Sequence, residues 1–274
     1  MKIDIERFRQ YLEDTNKSRN TVAMYMFSIR QFVRLHGELT KANATAYKGW
    51  LIGRYKPKTV NTRLMALNVY AEKVLKRLSL KVGYVREQQK PFLENVISDA
   101  DYEYFKASLL KSGNARDRFY YFVIRFLAAT GARISEFIQF KAEHVRAGHV
   151  DIYGKGGKVR RVYFPKSLRD DALAWLGETG RASGFLWTGR SGERLTQRGI
   201  AQQLKDYARR FKIPEAVVYP HSFRHRFAKN FLERFNDITL LADLMGHESI
   251  ETTRIYLRRT AEEQREVVDR VITW

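Results

Sequence analysis

No cysteine occurs in this 274-residue chain, so disulfides, thiolate nucleophiles and cysteine-based zinc sites are all excluded. No apolar run approaches the roughly 20 residues that span a bilayer. The start, Met1-Lys2-Ile3-Asp4, has no apolar signal-peptide core, and the expectation is a cytoplasmic protein without a membrane partner. Histidines and carboxylates nowhere fall at metal-ligand spacing, no phosphate-cradling glycine loop of Walker type occurs, and no serine sits in a nucleophile elbow. The expectation is therefore a protein with neither metal nor other cofactor. Acidic residues are the minority, 30 against 50 Lys plus Arg, for a formal charge of +20. An excess that large points to a polyanionic partner, and nucleic acid is the commonest one. With 44% hydrophobic residues the chain can still bury a core.

The charge is unevenly spread. Residues 1–90 hold 19 Lys/Arg and 7 Asp/Glu, a net +12, as expected of a module that grips phosphates. Periodicity there predicts four helices. Ile5, Phe8 and Leu12 form one stripe, and Val22, Tyr25, Ile29, Phe32 and Val33 a second. Ala44, Tyr47 and Leu51 give a third. The fourth follows Pro57 through Val60, Leu64, Leu67, Ala71, Val74 and Leu78. Arg19, Arg30, Lys48, Arg54, Lys56, Lys58 and Arg63 lie off these stripes, as do Arg34 and Lys73. A basic exterior with DNA-binding candidates is expected.

The pattern breaks between Lys81 and Pro91, giving domains at 1–80 and 93–274 with a linker at 81–92. Beyond it, Ser98 caps a helix through Tyr102, Phe105 and Leu109, and a strongly apolar helix runs from Phe119 to the Gly131 stop. Val150–Tyr153 and Val159–Phe164 flank Gly154-Lys155-Gly156-Gly157 and read as a β-hairpin. Helices are expected again near 195–211, 221–235, 237–245, 249–257 and 261–272. The fold class is mainly α: a helical bundle, then a mixed, mostly helical domain with a small antiparallel sheet.

Four segments carry groups able to act on a phosphate. Ala129-Thr130-Gly131-Ala132-Arg133 sets an arginine past a glycine break, with Glu136 three residues on. Lys158 closes the glycine-rich turn. His221-Ser222-Phe223-Arg224 places an imidazole and a guanidinium on one helix face. Gly246-His247 precedes Thr252-Thr253-Arg254-Ile255-Tyr256 by a few residues.

In this order, Arg133, Lys158, His221-x-x-Arg224, Gly246-His247 and Tyr256 resemble the catalytic set of the tyrosine recombinase and integrase family. Asn20-Thr21-Val22-x-x-Tyr25 carries the likeness into the first domain. Phe223 and Met245 stand where the family usually has Leu, and neither does chemistry. The chain looks closest to Xer-like or simple phage and transposon integrases without an arm-binding domain.

The resemblance implies Tyr256 as the nucleophile that forms a 3′-phosphotyrosyl bond. Arg133 and Arg224 would hold the non-bridging oxygens, since lysine cannot replace the guanidinium fork. Lys158 would protonate the leaving 5′-oxygen, and His247 would add a hydrogen bond. His221 would be the acid/base partner, because imidazole transfers protons near neutral pH, and Glu136 would orient Arg133 or His221. The resemblance also implies a clamp around double-stranded DNA, a homotetramer on synapsed sites, a Holliday junction and a nucleoid-associated enzyme. It leaves open an accessory DNA-bending or directionality protein.

Taken singly, each residue is ordinary: Tyr256 is one of 15 tyrosines, and Lys155, Arg160 and Arg161 compete with Lys158. His225, beside Arg224, competes with His221 and is assigned a supporting role. Conjunction in one chain order carries the reading. A non-catalytic DNA-binding protein on a decayed scaffold would have lost Tyr256 or an arginine, and a type IB topoisomerase would relax plasmids without paired sites.

Overall fold

Side-chain caps start the first three helices and a proline the fourth. In the computed structural model, which describes residues 2–88, 94–153, 159–189, 191–247, 249–257 and 261–272, the chain divides into two units, Met1–Gln89 and Lys90–Trp274. In the first unit, Asp4 caps α1 (Ile5–Asp14), Ser18 caps α2 (Arg19–His36) and Thr40 caps α3 (Lys41–Ile52), each accepting a first-turn N–H. Such caps satisfy donors that the helix cannot. Helix α4 (Pro57–Val69) has proline in its first turn and runs into a single π turn, Tyr70–Val74. The expected stripes face inward, with Phe8 edge-on to Tyr70 at 5.3 Å and Phe32 edge-on to Tyr47 at 5.2 Å.

Two details differ from the sequence expectation. Leu78 does not extend the α4 stripe; it is 65% exposed, because Lys76 adopts a positive φ of 57° and turns the chain away. The segment expected to open the linker is instead fastened to α4. The buried Asn68 amide donates to Val82 O and accepts from Val82 N, both at 2.9 Å, and Asn61 makes the same pair with Val85 at 2.8 Å. A buried amide needs both kinds of partner, and this strand of chain supplies them.

The second unit is built around α6 (Ala115–Thr130), apolar on nearly every side, which packs against α5 (Asp99–Lys111). Gly131, in the left-handed region at φ 59°, ends it. Two short helices follow, α7 (Ile134–Phe137) and α8 (Ala142–Ala147), then β1 (His149–Tyr153) and β2 (Val159–Tyr163). The strands are antiparallel, with His149 opposite Tyr163 and Tyr153 opposite Val159. Helix α9 (Lys166–Glu178) was not among the expected elements; its stripe Leu168, Ala172, Trp175 and Leu176 packs on the core, with Trp175 stacked on Phe122 at 4.6 Å. Then come α10 (Gln197–Arg210), α11 (Pro220–Arg234), α12 (Ile238–Met245), α13 (Ile250–Thr253), a 3₁₀ turn at Arg254–Leu257 and α14 (Ala261–Val271). Helix α11 lies against both α6 and the 3₁₀ turn, which brings distant segments together. No helix among the described residues is long and apolar enough to cross a membrane.

Candidate functional site

The end of α12 organises the site. A helix C-terminus leaves its last carbonyls without intrahelical partners and carries partial negative charge. Here three successive carbonyls each accept from an arginine: Leu244 O from Arg160, Met245 O from Arg224 at 2.9 Å, and Gly246 O from Arg133 at 3.0 Å. The three donors come from β2, α11 and the turn before α7. Three guanidiniums so close repel one another, and Glu136 is the countercharge. Its carboxylate accepts from the Arg133 backbone N–H at 2.7 Å, from Arg133 Nη1 at 3.1 Å and from Arg160 Nη2.

Two glycines make this approach feasible. Gly246 has φ 61°, and a Cβ there would lie 2.2 Å from the Arg160 Cδ. At Gly131 a Cβ would meet the Phe227 ring at 2.4 Å. Arg224 also donates to Gly131 O, tying α11 to the end of α6, and is only 3% exposed. Burial, then repulsion from Arg133, pulls its pKa down to about 10, which leaves it charged at neutral pH.

His247 follows directly. Its Nε2 lies 2.8 Å from Arg224 Nη2 and its Nδ1 2.7 Å from Thr253 Oγ1. Arginine only donates, so Nε2 accepts and Nδ1 carries the proton. Burial, then Arg224, Arg133 and Arg160, lowers its pKa to about 4 and keeps it neutral. The Tyr256 ring is stacked over it at 6.3 Å and is itself 6% exposed. Burial pushes the Tyr256 phenol up, opposed by the Arg224 guanidinium. Its Oη lies 3.3 Å from His225 Nδ1.

Arg133, Glu136, Arg224, His247 and Tyr256 thus converge. His221 is exposed at the start of α11, in a surface cavity of about 530 Å³ shared with Tyr219, Arg198 and Lys205. Partial desolvation of the ring against the protein surface, then the Arg224 and Arg133 charges, lowers its pKa. Glu136 is bonded to Arg133 and to Arg160, and among the described residues no hydrogen bond joins it to His221. Lys158 and the Gly154–Gly157 turn lie outside the described residues. Arg160 entered the sequence reading only as a rival to Lys158. Strand alternation was the available signal: Arg160 faces the site, whereas Arg161 points away to Asp151. Thr253, whose hydroxyl accepts from His247 Nδ1, carried no such signal.

In the first unit, Arg19 and Arg30 line an open groove of about 870 Å³ between α1 and α2, together with Arg9, Lys17 and Arg34. Arg63 donates to Gln31 in the same groove and lies over the Tyr55 ring at 4.3 Å. Arg54 covers Trp50 at 4.6 Å. Lys56 and Lys58 are exposed at the start of α4, and Lys48 is half-buried.

Comparison with known proteins gives the family and the fold. The phage integrase family matches residues 96–263, and its N-terminal SAM-like domain matches residues 5–79. The chain belongs to the phage integrase family. A similar family member is tyrosine recombinase XerA of Pyrococcus furiosus, 29% identical over 97% of this chain and 93% of its own. Among solved structures, the XerH site-specific recombinase bound to its difH substrate matches at a TM-score of 0.71 and 20% identity, covering 93% of this chain and 80% of that one. The lambda integrase tetramer bound to a Holliday junction matches at 0.69 and 14%, covering 92% and 75%. These two likenesses concern the fold.

Proposed function

We propose that this integrase-family protein is a site-specific tyrosine recombinase that cleaves and rejoins DNA through Tyr256. The observation that carries the reading is the buried Arg224 guanidinium, held among Gly131 O, Met245 O and His247 beside the Tyr256 ring. Attack of Tyr256 Oη on a phosphodiester builds a five-coordinate phosphorane with added negative charge. Arg133 and Arg224 are pre-placed for its non-bridging oxygens, and fixed cations need no reorganisation as that charge develops. His247 adds a hydrogen bond once the phosphate's charge favours its protonation, and Lys158 serves as the acid for the 5′-oxygen. Glu136, itself bonded by Arg160, holds Arg133 in place. The 3′-phosphotyrosyl bond conserves the diester's energy, so rejoining needs no nucleotide.

The bundle at 1–80 serves as the core-binding domain. Arg19, Arg30, Lys48, Arg54, Lys56, Lys58 and Arg63 contact backbone phosphates. Domain 93–274 carries the chemistry, with 81–92 between them, and the enzyme works on DNA in the cytoplasm at the nucleoid. Val268, Val271 and Ile272 on and just after α14 are about half exposed. Such an apolar face suits a neighbouring copy and supports a homotetramer that exchanges strands through a Holliday junction. The Val267 side chain and Trp274, which belonged to the same expected stripe, lie outside what the structure describes.

Replacing Tyr256 by Phe removes only the attacking oxygen. With a nicked suicide substrate, the expected result is normal DNA binding and no covalent complex on a denaturing gel. A protease-sensitive shifted band surviving in Tyr256→Phe overturns the assignment.

A further inference from the structure

One imidazole touches the reacting oxygen, and it is not His221. His225 lies one turn further along α11, half-buried, with Nδ1 3.3 Å from Tyr256 Oη and its ring 5.4 Å from the tyrosine ring. Positions i and i+4 share a helix face, and the His221 and His225 rings are 6.3 Å apart. Among the described residues no hydrogen bond joins His221 to Tyr256. His247 is the other imidazole in contact, but its Nε2 accepts from Arg224 and its Nδ1 is committed to Thr253, so it meets the tyrosine with its face.

Given the reading of Tyr256 as nucleophile, we propose that His225 takes the Tyr256 proton during strand cleavage, with His221 passing it on toward the surface. As the Oη–phosphorus bond forms, the phenolic proton moves to His225 Nδ1 and the neutral imidazole becomes imidazolium. The phosphorus–O5′ bond breaks, and the leaving oxygen is protonated by the acid assigned above to Lys158. In rejoining, the 5′-hydroxyl attacks and gives its proton back to that acid, while His225 returns a proton to Oη. No other reactant is consumed.

The surroundings suit the role. Burial, then His221 and Arg224 on its own helix, lowers the His225 pKa to about 4, so it meets the substrate unprotonated. Tyr256 faces it from the 3₁₀ turn, and Tyr219 and the Arg133 charge bear on that phenol in turn. A phosphate entering the arginine cluster brings negative charge that offsets these cations and stabilises the imidazolium when it forms.

The test uses the full chain on a nicked suicide substrate, with single-turnover covalent complex formation followed from pH 5.5 to 9.5. Wild type and Tyr256→Phe establish that the complex depends on Tyr256; a wild type that forms no such complex overturns the recombinase reading itself and this inference with it. For His225→Gln, the expected result is unchanged DNA affinity and cleavage slower on the order of a hundredfold, the scale of a lost general base. Its rate should climb about tenfold per pH unit across the range where wild type is flat, because hydroxide must now remove the proton. Added imidazole should recover part of the rate in His225→Ala, and His221→Gln should lose less and stay flat. Wild-type cleavage by His225→Gln overturns the proposal, as does a pH slope that appears in His221→Gln instead. A slow His225→Gln with neither slope nor imidazole rescue also overturns it, by assigning His225 to packing alone.

Discussion

The two units use positive charge in opposite ways. In the first, Arg19, Arg30, Lys56 and Lys58 stand exposed on or beside its helices. In the second, Arg224 and Arg160 are sunk into the protein, with side-chain exposure of only 11% for Arg160, and their terminal nitrogens are aimed at carbonyls, Glu136 and His247. An exposed cation is cheap, mobile and salt-screened, which suits a surface that must slide on phosphates. A buried one needs a built cradle but then holds its geometry, which suits a transition state. Net charge therefore locates the partner, and only the cradle locates the chemistry.

Arg224→Ala tests that contrast most severely. It should slow single-turnover cleavage by about 3 kcal/mol or more while DNA affinity changes little; equal losses in both would erase the distinction between the units. Neutralising Arg19, Arg30, Lys56 and Lys58 together to Gln is the reciprocal experiment. Affinity should drop and its salt dependence flatten by about 0.9 in log–log slope for each phosphate no longer neutralised. Cleavage at saturating DNA should hold, and an unchanged slope would remove these residues from the interface.

A smaller effect is expected from Gly246→Ala, which forces an alanine to φ 61° against the Arg160 stem. Destabilisation of about 1–3 kcal/mol, read as a fall in Tm, should come with slower cleavage because the α12 carbonyls shift. A silent variant would show that the cradle tolerates movement. The subtlest sign is in pH. His225 and His247 are held near 4 in the fold against an ordinary 6.5, so below 6.5 the unfolded chain binds protons that the folded one refuses. Stability of the DNA-free protein should fall as pH drops from 6.5 toward 4. Gln at both positions should flatten that fall, and an unaltered profile would place its cause elsewhere.

Much of this was legible in one dimension. The stripes through Phe8, Ile29, Tyr47 and Leu64 are periodic, so the bundle followed from spacing, and Gly131 announced the end of α6. The site residues Arg133, Arg224, His247 and Tyr256 were legible as a conjunction, through likeness to a family rather than through any local property. Helix α9 escaped because its apolar stripe is short and interrupted by Arg169, Asp170 and Asp171. The fastening of Val82 and Val85 escaped because it depends on two asparagines whose partners lie 14 and 24 residues away.

By itself, then, the sequence determined the helical periods, the basic excess of the first unit and the inventory of groups able to meet a phosphate. These are local or additive properties, readable without knowing what lies next to what. Tertiary structure decided the pairings: that Glu136 serves Arg133 and Arg160, that three arginines share the end of α12, and that His225 rather than His221 reaches Tyr256 Oη. The physical reason is that hydrogen bonds act over about 3 Å, while the residues they join here lie as many as 113 positions apart.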